Sequence, residues 1–136
     1  MFLKNSLCLI VCGICILGLS NCGDSKYADA KRVTIKYLEV MEKYATAVEE
    51  SNTPDALAEA VDRFVDEMAA LRPEMEAIEK KYPELTDMTI PPSELEDLAQ
   101  RMDALSQRMV AAQTKLMQHS TNPDVQRALQ KLQNIK

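Results

Sequence analysis

From about residue 24 to the end of the chain the apolar positions recur at helical spacing, and no stretch alternates strictly enough to predict a strand. A first helix is expected to start at Asp24 or Ser25, where a side-chain oxygen can accept a free N–H, and to end near Ser51-Asn52. Its apolar residues, among them Ala30, Tyr37, Leu38, Met41, Tyr44, Ala45 and Val48, cover a broad face suited to a bundle interior. The second helix opens on Thr53-Pro54-Asp55, which joins a capping hydroxyl, a proline at the first helical position and an acid at the positive dipole end. Leu57, Val61, Phe64, Met68, Leu71, Met75, Ile78 and Tyr82 then alternate four and three, a heptad seam. Pro73 removes one backbone hydrogen bond inside it, yet the phase carries from Leu71 to Met75, so a kinked helix is expected rather than two.

Three prolines make Pro83 to Pro92 a connector. Ser93-Glu94-Leu95-Glu96 has the form of a capping box, and Leu95, Leu98, Met102, Leu105, Met109, Ala112 and Leu116 continue a second heptad. Asn122-Pro123-Asp124 starts a short last helix carrying Val125, Leu129 and Leu132 on one face. The second and third helices, at about 26 to 29 residues each, would be about 40 Å long, and short connections favour antiparallel neighbours. The pattern therefore predicts an all-α, elongated antiparallel helical bundle of three long helices plus a short C-terminal helix. The seams are satisfied most simply within one chain, with a homo-oligomeric coiled coil as the rival arrangement.

Ahead of the helices the pattern is different in kind. One positive residue, Lys4, precedes the apolar run Leu7 to Leu19, which closes on Ser20-Asn21-Cys22-Gly23-Asp24. That is the organisation of an export signal, and the run is shorter than the roughly 20 apolar residues of a membrane span. Leu19-Ser20-Asn21-Cys22 resembles the lipobox of bacterial lipoproteins, with Leu three residues before the Cys; Asn21 stands where Gly, Ala or Ser is usual, as in the relaxed lipoboxes of spirochaetes. The resemblance covers residues 1–22 only. It implies a diacylglyceryl group on the Cys22 sulfur, cleavage before Cys22 and acylation of the new amino group. The organisation expected is then a signal peptide over 1–21, a lipidated tether over 22–24 and a helical domain over 25–136. Gly23 after the Cys is similar to lipoproteins released to the outer membrane, so a lipid-anchored place in the bacterial envelope is expected, at the outer membrane facing the periplasm or surface.

Cleavage would change the cysteine arithmetic. Cys8, Cys12 and Cys15 lie in the signal, leaving Cys22 as the one mature cysteine, its sulfur a thioether, and no disulfides. The segment from Cys22 onward holds 15 Lys plus Arg (16 less Lys4) against 21 acids, a formal charge of −6. Such a balance argues against nucleic acid and against a polybasic grip on anionic lipid, so attachment to the membrane falls to the acyl chains on Cys22.

Catalytic parts are scarce. Without a free thiol, with His119 as the single imidazole and with no glycine beyond Gly23, the mature chain lacks the pieces of nucleophilic, phosphate-cradling and dinucleotide sites. Glu74, Glu76 and Glu79 lack the Glu-x-x-His partners of a di-iron bundle and read as a solvated helix face. No cofactor is expected and an enzyme is not. Met117-Gln118-His119 is the one combination that could hold copper or haem, while His119 also falls where a cation relieves the negative end of a helix dipole. Met68, Met75, Met102 and Met109 fall on seams, as flexible core fillers. The functional expectation is a lipid-anchored, non-enzymatic envelope protein with a binding, adaptor or spacer role, meeting the membrane through Cys22 and a protein partner or its own copies through its helices. The alternative is a metal- or haem-binding bundle using Met117 and His119.

Overall fold

A computed structural model of the protein describes residues 26–85 and 92–134. Cys22, the signal segment and the Asp24-Ser25 helix start lie outside the described residues. Four helices form an all-α bundle: α1 (Ala28–Glu50), α2 (Pro54–Lys81), α3 (Glu96–Gln118) and α4 (Pro123–Gln133).

The local signals decide most helix ends. Thr53 is extended and its hydroxyl accepts from Ala56 N–H at 3.2 Å, with Pro54 in the first turn. Asn122 caps α4 in the same manner, its Oδ1 accepting from the N–H groups of Asp124 (2.9 Å) and Val125 (3.3 Å). Pro73 lies inside an unbroken α2 of 28 residues. Two starts differ from expectation. α1 begins at Ala28 with no side-chain cap; Asp29 instead accepts from its neighbour's N–H, that of Ala30, at 3.0 Å. The capping box at Ser93 does not form. Pro92 holds the chain extended, Leu95 N–H bonds to Pro92 carbonyl at 2.8 Å, and Ser93–Leu95 becomes a 3₁₀ turn. Glu96 N–H then goes to the Ser93 carbonyl rather than its hydroxyl, so α3 starts at Glu96 and runs 23 residues, shorter than expected.

The ion pairs give the topology. Lys36–Glu74 (2.7 Å), Lys43–Glu67 (3.8 Å) and Asp29–Lys81 join α1 to α2 with one number rising as the other falls, so these helices are antiparallel. Lys31–Asp97 (3.2 Å), Glu42–Arg101 (2.8 Å) and Glu49–Arg108 (2.8 Å) rise together, so α3 returns parallel to α1. α4 packs along the first part of α2, tied by Asp62–Lys131 at 2.7 Å. Among the described residues α1 packs on both α2 and α3, and α2 on both α1 and α4, whereas α2 and α3 scarcely touch. This explains the broad apolar face of α1: it serves two neighbours.

The two halves of the bundle are built differently. At the end holding the α1–α2 and α3–α4 turns, all four helices enclose Tyr44, Val48, Leu57, Val61, Phe64, Leu116, Val125 and Ala128. Towards the other end α4 has stopped, and Leu38, Ala45, Leu98 and Leu105 close a thinner α1–α3 layer. Tyr27, Ala30 and Tyr82 finish that pole. The seams predicted from sequence are thus met within one chain.

Candidate functional site

The expected site residues separate in space. Met117 is 57 % exposed on α3, while His119 is half-buried one step past the end of the helix, its N–H bonded to the carbonyls of Leu116 and Met117. His119 does occupy the negative end of α3, where its dipole reading placed it. No cluster of three or more His, Cys, Asp or Glu side chains that could hold a metal occurs among the described residues. Glu74 is engaged by Lys36 Nζ at 2.7 and 2.8 Å, and Glu76 and Glu79 are exposed, the solvated arrangement expected of them. Of the methionines read as core fillers, Met68, Met75 and Met109 are half-buried, but Met102 is 41 % exposed. It faces an open cleft beside Tyr37, Met75 and Ile78, and so fills no core.

What the sequence did not mark is a surface. From Ala104 to Gln118, α3 holds only two charged side chains, Arg108 and Lys115, and both turn back to α1. Arg108 grips the Glu49 carboxylate through Nε (2.9 Å) and Nη2 (2.8 Å) and donates to Thr46 at 2.8 Å; Lys115 Nζ donates to the Glu49 carbonyl at 2.8 Å. The Arg108 guanidinium holds the Glu49 carboxyl below the usual carboxylate range. The outward side of this stretch, Ala104, Ser106, Gln107, Val110, Ala111, Gln113, Thr114, Met117 and Gln118, is exposed and uncharged over about 21 Å. Its two hydroxyls are turned inward: Ser106 donates to the Asp103 carbonyl (2.7 Å) and Thr114 to that of Val110 (2.9 Å). The large hydrophobic side chains left exposed among the described residues are Met102, Val110 and Met117, all on α3.

Beside this face, α3 and α4 leave a groove of about 880 Å³, walled by Val110, Gln113 and Met117 on one side and by Leu129, Leu132 and Gln133 on the other. Its floor is the stacked pair Tyr44–Phe64, ring centroids 4.4 Å apart, where burial pushes the Tyr44 hydroxyl up to about 12. A shallower cleft of about 550 Å³ lies beyond the end of α4, between Tyr37, Met75, Ile78 and Met102. Both are apolar, and the groove carries no ionisable wall residue that could perform acid–base work near neutral pH. The arrangement suits contact with another apolar surface.

The signal that would have found this face is the run from Ala104 to Gln118 itself, free of acids in a chain that is 27 % charged. Its significance depends on where Arg108 and Lys115 point, and that is a tertiary fact.

At the opposite pole the chain enters the bundle through a polar clasp. Tyr27 and Tyr82 meet edge-to-face at 5.3 Å, and Lys26 bonds Glu84 at 2.9 Å. The Tyr82 hydroxyl lies 2.8 Å from the Lys26 carbonyl and 2.7 Å from Asp29 Oδ1, either of which can take its proton. Lys81 and then Tyr82 hold the Asp29 carboxyl down to about 2.

Comparison with known proteins returns no matching family model, no matching curated protein and no matching solved structure.

Proposed function

We propose that this chain is a lipid-anchored, non-enzymatic protein of the bacterial envelope that presents the uncharged α3–α4 face for protein contact. The observation that carries the binding role is that face: exposed Val110 and Met117 beside a groove walled by Met, Leu and Gln, with the nearest cations withdrawn to Glu49. Interface cores are depleted of charge and enriched in methionine, and the remaining helix surfaces of the bundle are charged. The anchoring part rests on the Leu19-Ser20-Asn21-Cys22 signal. No helix among the described residues is long and apolar enough to cross a membrane, so the reading assigns attachment to acyl chains.

Only three residues stand between Cys22 and Lys26, four steps of the chain with a reach of at most about 14 Å, so the Tyr27–Tyr82 pole is the end held against the membrane. α2, at 28 residues about 42 Å long, then carries the α1–α2 and α3–α4 turns away from it. Mass spectrometry of the mature amino terminus tests the anchor: a diacylglyceryl-modified Cys22 is expected, and an unmodified terminus at another residue overturns it. Crosslinking in intact envelopes from a photoreactive residue at Gln113 tests the binding face. A covalent protein adduct is expected there and not from Glu39 on the outer side of α1; equal labelling from both positions removes the role of the face.

A further inference from the structure

We infer that the occupant of the uncharged α3 face is a second copy of this chain, lying parallel to the first so that the two α3 helices meet from Ala104 to Gln118. The inference deepens the anchored-protein reading above and takes its parallel orientation from it.

The argument is one of charge. A parallel two-fold pair brings each residue on the contact helix opposite its own kind. Any face that carries ionised side chains along its centre line is therefore self-repelling in such a pair, and like charges brought together cost several kcal/mol. The outer side of α1 carries Arg32, Glu39, Lys43 and Glu50; that of α2 carries Glu59, Arg63, Asp66, Glu76 and Lys80, all exposed. Among the described residues only α3 after Asp103 offers a long exposed surface on which every residue can meet itself without that penalty. Ala104 and Ala111 let the backbones approach, Val110 and Met117 supply apolar contact, and Ser106 and Thr114 already donate their hydroxyl protons to their own helix. The segment from Cys22 onward, with its formal charge of −6, repels its copies on balance, so a contact that adds no further like-charge pair is the one open to it.

Orientation follows from the tether. In an antiparallel pair the two Lys26 poles would lie at opposite ends of bundles about 42 Å long, beyond the reach of a tether of about 14 Å to one membrane. A parallel pair puts both poles on the same surface. One helix face of this length falls below the roughly 1,200 Å² of total buried area typical of stable complexes, so the pair is weak in dilute solution. Confinement of both copies to one membrane raises their effective concentration and favours it.

The test uses the full-length chain, purified from bacterial membranes and returned to vesicles of phosphatidylethanolamine and phosphatidylglycerol, with one added cysteine and copper-phenanthroline as oxidant. Val110→Cys is expected to give at least about tenfold more covalent dimer than Glu39→Cys, as two docked thiols have a high effective concentration. Ala104→Cys and Met117→Cys should each crosslink to themselves. If Ala104→Cys joins only Met117→Cys in a mixture, the pair is antiparallel and the proposal is overturned. Equal yields at Val110 and Glu39, or none at Val110, overturn it too. Val110→Glu, at an exposed position that leaves the helical circular-dichroism spectrum unchanged, should abolish crosslinking through Ala104→Cys. Adducts from Gln113 to another protein, with no homodimer in the same vesicles, would assign the face to a different partner. Flotation of the wild-type chain with the vesicles reports the anchor separately. If it does not float, the anchor fails, and the self-contact is read at high protein concentration in solution on a chain with Cys8, Cys12, Cys15 and Cys22 changed to Ser, where dimer through Val110→Cys keeps it and its absence rejects it.

Discussion

The half of the bundle that holds α4 and the half that faces the chain's entry share α1, α2 and α3 but are held together by different physics. In the first, four helices bury Val48, Leu57, Val61 and Val125 completely, and the surrounding side chains come from every helix. In the second, α4 is absent, burial thins to Leu38, Ala45, Leu98 and Leu105, and the pole is closed by tyrosines and ion pairs. Exposed ion pairs contribute little each, while buried methylenes contribute about 0.8 kcal/mol apiece. The comparison assigns stability to the α4 half, and to the entry half a polar clasp that fixes how residues 26–29 meet the end of α2.

Truncation tests that contrast most strongly. Leu57→Ala, at a site with 0 % exposure inside four helices, is expected to cost about 4 kcal/mol, whereas Leu105→Ala, on the thinner α1–α3 layer, should cost nearer about 2 because fewer helices surround the site and it can collapse. Urea titration of the two variants reads the difference; equal costs would remove the distinction between the halves. Pro73 lies in α2 between Leu71, the last buried residue of the helix itself, and the clasp. Pro73→Ala restores a backbone hydrogen bond and should stabilise the protein by about 1 to 3 kcal/mol, with helix content rising slightly by circular dichroism. A loss of stability would mean that the proline ring itself is needed for packing.

A smaller effect is expected at the cap of α4. Asn122→Ala leaves two first-turn N–H groups without their acceptor and should cost about 1 kcal/mol. Because α4 closes only one half of the bundle, hydrogen exchange should quicken around Val125 and Ala128 and remain unchanged near Leu98.

How much of this was readable from sequence follows the range of the interactions. The caps at Thr53 and Asn122 were legible because they involve residues within three positions of each other. The heptads of α2 and α3 were legible because one helix face determines them. The Ser93 box failed although its spacing was right, since Pro92 diverts the chain into a 3₁₀ turn before the hydroxyl can cap. Met102 was misread as core because the heptad gives the direction of a side chain and not what closes over it, and here it meets an open cleft. The candidate surface was hidden for the same reason: Arg108 and Lys115 look like ordinary surface charges until Glu49 is placed beside them.

The smallest effect concerns the clasp, and its sign can be worked out. Asp29 falls from an ordinary 3.8 to about 2 because Lys81 and Tyr82 stabilise its charged form. A carboxyl depressed on folding contributes stability that is fully present above its unfolded pKa and is lost as pH falls through the folded one. The contribution of Asp29 should therefore be complete above about pH 4 and fade between 3.8 and about 2. Lys81, raised by the same contact, keeps its charge throughout that window and adds no slope of its own. Tyr82→Phe removes one of the three groups that hold the carboxyl down, leaving Lys81 and the Ala30 N–H, while keeping the ring against Tyr27, so the Asp29 pKa should rise part of the way to 3.8. Carboxyl chemical shifts followed by NMR across pH 1.5 to 5, a range set to bracket both values, would read it directly. An unchanged titration would assign the depression to Lys81 and the Ala30 N–H. The clasp would then be chiefly an ion pair open to water and screened by salt, and the closure of this pole would rest on the Tyr27–Tyr82 contact instead.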